Sequence, residues 1–291
     1  MLERTGLFAE SWNVAWRKKS SGSILYDKNT PFNIIKNDFR YWAADPFLLE
    51  FQNETYVFAE LYDYIHCRGS LGYCKLDENG RSKWKQIILE DYHLSYPYIV
   101  EKDNEIYIIP ESGANHSLYV YKAIQFPDIW KKIKVLRENV QYGDTTPFLW
   151  NNHPYALTYD VKDHKKYCLI VLDLEDAKND TKLSCEDSEF RRPAGMFFVQ
   201  DNQMIRPAQN CKNDYGEGLI FYRCGIDESG EYWEKEIQRI APYELKYSRN
   251  ILLDGMHTYN SSDMYEIIDI KTRRFNFLNF IFRIICKLRR R

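Results

Sequence analysis

The stretch HLSYPYIVEKDNEIYIIPES, residues 93–112, has the pattern of two apolar strands joined by a polar turn. A similar pattern precedes it in ADPFLLEFQNETYVFAEL, where the interval from Pro46 to Glu60 equals that from Pro97 to Glu111. The pattern recurs, one residue shorter, in DTTPFLWNNHPYALTYD, and more loosely in RRPAGMFFVQDNQMIRPAQ. A repeat of about 50 residues with strand-type alternation indicates a β-propeller.

Each hairpin is followed by two further apolar segments, so each repeat supplies the four strands of one propeller blade. The two ends of the chain supply a fifth blade. Residues 11–36 have the pattern of two outer strands, and residues 255–271 that of an inner hairpin. Pairing between them would close the ring and remove free sheet edges. We therefore predict an all-β fold, a five-bladed β-propeller over residues 1–270; a two-sheet sandwich would not explain the split termini.

Residues 271–291 differ from the repeats because they combine bulky apolar residues with basic ones and contain no acid. Polar and basic residues recur there at helical spacing, at Asn276, Asn279, Arg283, Lys287 and Arg290. The pattern predicts a basic amphipathic helix that binds an anionic membrane surface. Arg283 interrupts the apolar face before it could span a bilayer. The alternative is a helix docked on the propeller.

Composition and charge exclude several classes of protein. The chain of 291 residues is 44% hydrophobic and 16% aromatic, which is typical of a globular protein. Without the eight basic residues beyond Asp269, 32 Lys and Arg face 42 Asp and Glu. A body this acidic is a poor binder of nucleic acid.

Two features of the sequence bear on the compartment. The seven cysteines form no CxxC pair, which argues against a disulfide framework and against a zinc site. The first residues, MLERTGLFAESWNVAW, lack the apolar segment of a signal peptide. We therefore expect a cytoplasmic protein, peripheral on the inner face of the membrane if the tail binds lipid.

Ligands of propellers bind where the innermost strands open at the axis. The polar residues just before the repeated prolines are therefore candidates, namely Asp45, His93, Ser95, Asp144, Thr145 and Arg192. The ends of the following strands add Glu60, Glu111, Arg206 and Gln209, and the fifth blade adds His257. Each has a structural alternative: Asp45 and Asp144 could cap turns, and Arg206 could bind strand-end carbonyls. The combination is informative because unpaired buried charges are costly.

Acids on two sides of a cleft are the residues that glycosyl transfer requires. One carboxylate deprotonates the attacking hydroxyl or water, and a second, with a raised pKa, protonates the leaving oxygen. If the leaving group is a phosphate, Arg or His stabilises it instead. The chain contains no phosphate-binding Gly-rich loop, HExxH, GxSxG or DxD motif. We therefore predict no metal and no cofactor, with a nucleotide sugar as a candidate donor.

The ordered motifs ADPFL, FAE, HLSYPY, IPES, FPDIWKK, DTTPF, RPAG, RPAQ and HTYN extend over nearly the whole chain up to about residue 270. This series resembles the N-terminal domain of glucosamine inositolphosphorylceramide transferase. That domain is similar to the five-bladed propellers of glycoside hydrolase family 43. The resemblance implies a carbohydrate-handling propeller in which Asp45 matches the general-base aspartate of the first blade. A clear match to the general-acid glutamate is missing.

The leading hypothesis is an enzyme of surface-glycan or glycolipid assembly that transfers a glycosyl residue to or from a carbohydrate or glycolipid substrate. Asp45 is the predicted base, assisted by Glu111 or Asp144. The predicted substrate-binding residues are Glu60, His93, Ser95, Thr145, Arg192, Arg206, Gln209 and His257. One alternative is a glycoside hydrolase, in which water replaces the acceptor. The other is a propeller that binds glycans without catalysis.

Overall fold

Strands account for nearly all the regular structure of this protein. The computed structural model describes residues 8–19, 27–161, 168–183, 188–250, 252–275 and 281. Within them, 21 strands form five sheets of antiparallel strands, which are the blades of a β-propeller. Single-turn 3-10 helices lie at Gly113–Asn115, Ala177–Asn179, Ser188–Phe190 and Pro242–Glu244. The predicted fold class is confirmed.

The strands follow the repeats in chain order. The N-terminal segment forms β1 (Phe8–Lys18) and β2 (Asn33–Ile34). Blade 1 contains β3 (Tyr41–Phe51), β4 (Glu54–Asp63), β5 (Arg68–Lys75) and β6 (Lys85–Ile88). Blade 2 contains β7 (Ser95–Lys102), β8 (Glu105–Glu111), β9 (Ser117–Gln125) and β10 (Ile129–Glu138).

The second half of the chain continues the same order. Blade 3 contains β11 (Tyr142–Trp150), β12 (His153–Asp160), β13 (Leu169–Asp173) and β14 (Thr181–Lys182). Blade 4 contains β15 (Phe198–Gln200), β16 (Gln203–Asn210), β17 (Gly218–Ile226) and β18 (Tyr232–Ile240). Blade 5 joins β19 (Leu253–Gly255), β20 (Tyr259–Ser261) and β21 (Tyr265–Phe275) to β1 and β2.

The inner hairpins of blades 1 to 4 share one turn geometry. Each turn has two residues, both with positive φ: Gln52 and Asn53, Asp103 and Asn104, Asn151 and Asn152, Asp201 and Asn202. Two successive left-handed residues match the twist of paired strands, and Asn and Asp adopt this conformation more readily than other non-glycine residues. The turns therefore fix the register that brings the ends of the two strands to the axis.

The ring closes through pairing of the first and last strands. β1 runs antiparallel to β21 over 11 residue pairs, from Phe8 opposite Phe275 to Lys18 opposite Tyr265. Inside this pairing, the buried Arg17 Nε lies 2.7 Å from Glu266 Oε2. The predicted fifth blade, made from both ends of the chain, is therefore present.

The first five residues of the predicted tail helix form a strand instead. β21 extends to Phe275, so residues 271–275 continue the last blade as a strand, because Lys271 and Thr272 are buried beside β1. Of the remaining tail, only Ile281 lies within the described residues. Within the part of the chain that the structure describes, no helix combines the length and apolar character needed to cross a membrane.

The cysteines differ from the prediction. Cys67 and Cys168 are disulfide-bonded, whereas Cys74, Cys211 and Cys224 are free thiols. The sequence argued against a disulfide framework, and these two cysteines are disulfide-bonded nevertheless. An odd number of cysteines excludes complete pairing only.

Candidate active site

The inner strands of blades 1, 2 and 3 carry a β-bulge at the same position. The irregularities lie between Ala44 and Phe47, between Ser95 and Tyr98, and between Gly143 and Thr146. The first bulge residue has positive φ in each blade: 51° at Asp45, 46° at Tyr96 and 48° at Asp144. Non-glycine residues adopt this conformation rarely, and a bulge redirects the side chain of its strand. The three residues therefore occupy equivalent positions at the axis.

Asp45 is buried, and each of its two carboxylate oxygens accepts a hydrogen bond. Its Oδ1 accepts a hydrogen bond from Thr258 Oγ1 at 2.9 Å, and its Oδ2 accepts one from the backbone N–H of Tyr96 at 3.2 Å. His257 Nε2 lies 3.7 Å from Oδ1. Burial raises the pKa of Asp45 to about 6, although the charge of His257 opposes the rise. Near neutral pH the group is therefore largely ionised yet remains basic enough to accept a proton.

Asp269 on β21 supports this arrangement and was not predicted. Its carboxylate accepts hydrogen bonds from the backbone N–H groups of Asp45 (3.0 Å), His257 (2.9 Å) and Thr258 (2.9 Å). His257 Nδ1 lies 2.6 Å from its second oxygen. Asp269 therefore holds the bulge of blade 1 against blade 5. The signal available in the sequence was an acid among apolar residues, in EIIDI.

His257 lies between two carboxylates. Burial lowers its pKa, but the charges of Asp269 and Asp45 outweigh burial and raise it above the ordinary value. The ring stacks on Trp12, with centroids 3.9 Å apart and planes at 16°. A cationic imidazole is favoured by an aromatic face and by both acids. His257 therefore stabilises the ionised form of Asp45.

On the opposite side of the axis, Asp144 pairs with Arg192. The Asp144 carboxylate accepts hydrogen bonds from Arg192 Nε and from Gln209 Nε2, the latter at 3.1 Å. The Arg192 guanidinium lies over the rings of Tyr159 and Tyr215, at 4.5 and 5.0 Å from their centroids. Both tyrosines were missed by the sequence reading. Arg192 therefore serves chiefly as the counter-ion of Asp144.

Glu111 lies next to the pair of Asp144 and Arg192 and differs from Asp144 in its protonation. Its Oε2 accepts a hydrogen bond from the backbone N–H of Asp144 at 3.1 Å. Burial, followed by the charge of Asp144, raises the pKa of Glu111 to about 8, although Arg192 opposes the rise. Glu111 is therefore mostly protonated at neutral pH and can donate a proton to a leaving oxygen.

Glu60 and His93 form a second acid–imidazole contact, between blades 1 and 2. His93 Nε2 lies 3.5 Å from Glu60 Oε1, and His93 Nδ1 accepts a hydrogen bond from the backbone N–H of Gly69 at 2.9 Å. Burial, followed by the charges of Asp45 and Glu111, raises the pKa of Glu60 well above its ordinary value. Gly69 allows this contact, because a Cβ there would lie 2.4 Å from Glu60 Oε1.

Three predicted residues have other partners. Arg206 pairs with Glu234 on the outer strand β18, with Nε 2.8 Å from Glu234 Oε2. Arg206 lies three positions before Gln209, about 10 Å along the strand, so it does not reach Asp144. Thr145 Oγ1 lies 2.8 Å from Thr158 Oγ1 within blade 3. Ser95 is buried in the ladder opposite Glu111.

Tyr96 is a further axial residue that the sequence reading did not single out. Its hydroxyl lies 2.7 Å from Thr146 Oγ1 and accepts a hydrogen bond from the backbone N–H of Gly195 at 2.6 Å. Together with its backbone contact to Asp45, Tyr96 links blades 1 to 4. When the repeats are aligned on Pro46 and Pro97, Tyr96 takes the position that Asp45 has in blade 1.

Two groups of acids were considered as metal sites. Ligand atoms of Asp45, His257 and Asp269 lie within 4.8 Å of one another, but the Asp269 carboxylate already contacts three backbone N–H groups and His257 Nδ1, which leaves it no lone pair for a metal. In the second group, Lys271 Nζ lies 2.8 Å from Asp214 and 3.3 Å from Glu10. An ammonium group therefore occupies the position of a cation, and we assign a metal to neither group.

Fold and site together define a class: a five-bladed propeller with paired carboxyl groups at its axis. Residues 33–257 match the family described as Glucosamine inositolphosphorylceramide transferase 1, N-terminal. The match covers most of the chain, so the chain belongs to this family, as its motifs predicted.

Curated relatives agree with this assignment. Glucosamine inositolphosphorylceramide transferase 1 of Oryza sativa subsp. indica is 27% identical over 220 residues, which cover 72% of this chain. The protein of the same name from Arabidopsis thaliana is 27% identical over 246 residues, which cover 75% of this chain. In each case the match covers 29% of the relative, so the chain spans less than a third of the relatives' length.

Solved structures with this fold include glycoside hydrolases. An α-L-arabinofuranosidase from Lactobacillus brevis has a TM-score of 0.54 at 10% identity, covering 76% of this chain and 80% of that chain. RS223-β-xylosidase has a TM-score of 0.53 at 8% identity, covering 80% and 92%. At these identities the comparison establishes a common fold and leaves the reaction to be argued from the site.

Proposed function

We propose that this protein is a carbohydrate-active enzyme that transfers a glycosyl residue in glycolipid or surface-glycan assembly. The observation that supports this proposal is the contrast between two carboxyl groups of one site. Asp45 has a pKa of about 6 and Glu111 one of about 8, so near pH 7 one is a base and the other an acid. Such a pair is what glycosyl transfer requires.

In the proposed reaction, the oxygen of the acceptor hydroxyl attacks the anomeric carbon of the donor. Asp45 accepts the proton of that hydroxyl. The bond between that carbon and the leaving oxygen breaks, and Glu111 donates its proton to the leaving oxygen. Burial, with the charge of Asp144, keeps Glu111 protonated, while Asp269 and His257 hold Asp45 in position. One proton thus moves from the acceptor to Asp45 and one from Glu111 to the leaving group. Asp45 then releases its proton to solvent and Glu111 takes one up from solvent, so both groups are restored for the next turnover.

The site favours a glycoside as donor over a sugar with a phosphate leaving group. A departing phosphate needs a cation, but Arg192 is paired with Asp144, His257 with Asp269 and Arg206 with Glu234. A proton donor such as Glu111 assists a leaving sugar oxygen instead. A nucleotide sugar, which the sequence offered as a candidate donor, is thus the less favoured donor.

The acceptor is proposed from the family. The relatives are named glucosamine inositolphosphorylceramide transferases, and we propose a lipid-linked acceptor for this protein from that name. Binding of residues 276–291, the part of the predicted tail beyond β21, to an anionic membrane and a cytoplasmic location remain parts of this proposal. The disulfide bonds of Cys67 and Cys168 weigh against the cytoplasm, because disulfides persist mainly in oxidising compartments.

Hydrolysis is the second candidate, and Glu111 supports it equally, because the same acid and base can activate water. Product analysis separates the two reactions. The protein is incubated with labelled glycosides or nucleotide sugars, with and without a glycolipid acceptor, and products are identified by mass spectrometry. A new glycoside supports transfer, and free sugar alone supports hydrolysis.

Variants connect either product with the site. Asp45→Asn and Glu111→Gln should each abolish turnover. Glu101→Gln, at an exposed residue of β7, makes the same acid-to-amide change away from the axis and should retain turnover. An Asp45→Asn protein that folds and turns over at the wild-type rate would contradict the proposal.

A further inference from the structure

An aromatic pair lies beside the axial pocket and has no part in the proposed reaction. Trp42 on β3 and Tyr62 on β4 are opposite each other in the ladder, and their rings stack with centroids 4.8 Å apart and planes at 3°. Both residues are partly exposed, although they belong to the two innermost strands of blade 1. Large aromatic rings that stay accessible next to a pocket are typical of ligand sites.

The register of blade 1 places this pair directly outside the pocket. Opposite residues of an antiparallel ladder lie on one face of the sheet, and every second residue returns to that face. The next pair on the face of Trp42 and Tyr62 is therefore Ala44 opposite Glu60. Two residues along a strand span about 7 Å, which is close to the length of one sugar unit. The aromatic pair thus lies one sugar unit outward from Glu60.

Burial along this face shows the direction in which the pocket opens. Phe58, further along the face than Glu60, is fully buried, Glu60 is 5% exposed, and the aromatic pair is partly exposed. On blade 2, His93 has 38% of its side chain accessible and accepts the backbone N–H of Gly69, the residue opposite Tyr62. A ligand that enters the pocket between blades 1 and 2 therefore passes the two rings.

The charges next to the rings favour an uncharged ligand. Arg40 Nη2 lies 2.7 Å from Oδ2 of Asp63, the residue that follows Tyr62, and His66 Nδ1 lies 2.7 Å from the same oxygen. A phosphate or carboxylate would have to compete with Asp63 for Arg40. A neutral sugar meets no such competition, and the C–H groups of its ring are attracted to the negative face of an aromatic ring.

We infer that the axial pocket extends into a second sugar subsite, in which a neutral sugar ring packs against the Trp42–Tyr62 pair while the reacting sugar lies beside Glu60. The substrate is then a glycan of at least two sugar units. The inference rests on the proposed carbohydrate function and names its substrate class. An aromatic pair that only packs the end of blade 1 would not distinguish ligands by their length.

Matched neutral sugars test the inference: glucose with cellobiose, xylose with xylobiose, and mannose with mannobiose. Within each pair the disaccharide adds one ring and no charge. In at least one pair, calorimetric titration should show about tenfold tighter binding of the disaccharide, an effect of the size that aromatic stacking with apolar burial gives. In NMR spectra, the indole N–H signal of Trp42, assigned with Trp42→Phe, should shift with that disaccharide and not with the monosaccharide.

Two variants separate the subsite from a structural role. Trp42→Ala should remove the preference for the disaccharide and leave binding of the monosaccharide unchanged. Trp233→Ala, at a residue of the outer strand β18 that is 39% exposed, makes the same change away from the axis and should retain the preference.

The outcomes are distinguishable. Equal binding within every pair, or a preference that survives in Trp42→Ala, would overturn the inference alone. If Trp42→Ala does not fold, the wild-type NMR signal decides, and a Trp42 signal that the disaccharide leaves in place would overturn the inference. If none of the sugars binds at millimolar concentrations, the proposed carbohydrate function fails with it.

Discussion

At the scale of single residues, burial sets the chemistry of the axis. Burial raises the pKa of Asp45 to about 6 and that of Glu111 to about 8, while His257 opposes the first rise and Asp144 adds to the second. The two groups have the same carboxyl chemistry in different charge environments. Such a difference lets one fold present an acid and a base at the same pH.

This difference predicts a bell-shaped pH dependence of kcat/KM. The base must be ionised, so activity should fall as the pH drops through about 6; the acid must be protonated, so activity should fall as the pH rises through about 8. The pH profile of kcat/KM, measured with the substrate identified by product analysis, checks both limbs. A profile that stays flat from pH 5 to 9 would contradict the assigned roles.

Asp269 supplies a second prediction at this scale. In Asp269→Asn, an NH2 group replaces one carboxylate oxygen, so the side chain can no longer accept both the backbone N–H of Asp45 and the N–H of His257 Nδ1. The variant also loses the largest charge that favours protonated His257. The pKa of His257, followed by NMR titration, should fall, and the rate should drop with little change in KM. Asp263→Asn, an exposed change in the same blade, should leave the His257 pKa unchanged. An unchanged pKa in Asp269→Asn would rule out this positioning role.

At the scale of elements, the two-residue turns specify the inner hairpins. Asn104 has a φ of 60°, in the left-handed region, so its replacement by a β-branched residue should strain the turn of blade 2. We expect Asn104→Val to lower the free energy of unfolding by about 1–2 kcal/mol. Asn104→Gly should be neutral, because glycine adopts this conformation readily. Urea denaturation checks both, and equal stability of the two variants would show that the turn tolerates any residue.

The same elements show why part of the site could be predicted from the sequence. Repeated prolines and Asn turns placed Asp45, Glu60, Glu111 and Asp144 at strand ends facing the axis, and the structure brings these four together. Asp269 could not be found in this way, because its strand belongs to the incomplete fifth repeat. Whether Arg206 reaches the axis depends on how far along β16 it lies. Its spacing from the repeated proline does not give that distance.

At the scale of the whole molecule, the ring depends on contacts between the two ends of the chain. β1 and β21 pair along their full lengths, and the Asp269 contacts tie blade 5 to blade 1. A site assembled from several blades keeps its geometry only while this closure holds. The closure therefore supports the candidate site, although it lies at the ends of the sequence.

A buried ion pair in this closure allows a direct test. Arg17 Nε and Glu266 Oε2 are 2.7 Å apart, with side chains 1% and 2% exposed. Arg17→Met leaves Glu266 buried without its partner, which should cost roughly 3–5 kcal/mol, and Arg17→Met with Glu266→Met should recover much of that loss.

The next residue in β1 provides the matched control. Lys18 lies at the same 2.7 Å from Glu78, but these side chains are 64% and 45% exposed. Lys18→Met should therefore change the free energy of unfolding by less than about 1 kcal/mol, because water already solvates both charges. Denaturant unfolding of the three variants and the wild type measures the contrast. Equal losses for Arg17→Met and Lys18→Met would show that burial at the closure adds nothing to the contribution of this ion pair, and that ring closure rests on backbone pairing and apolar packing alone.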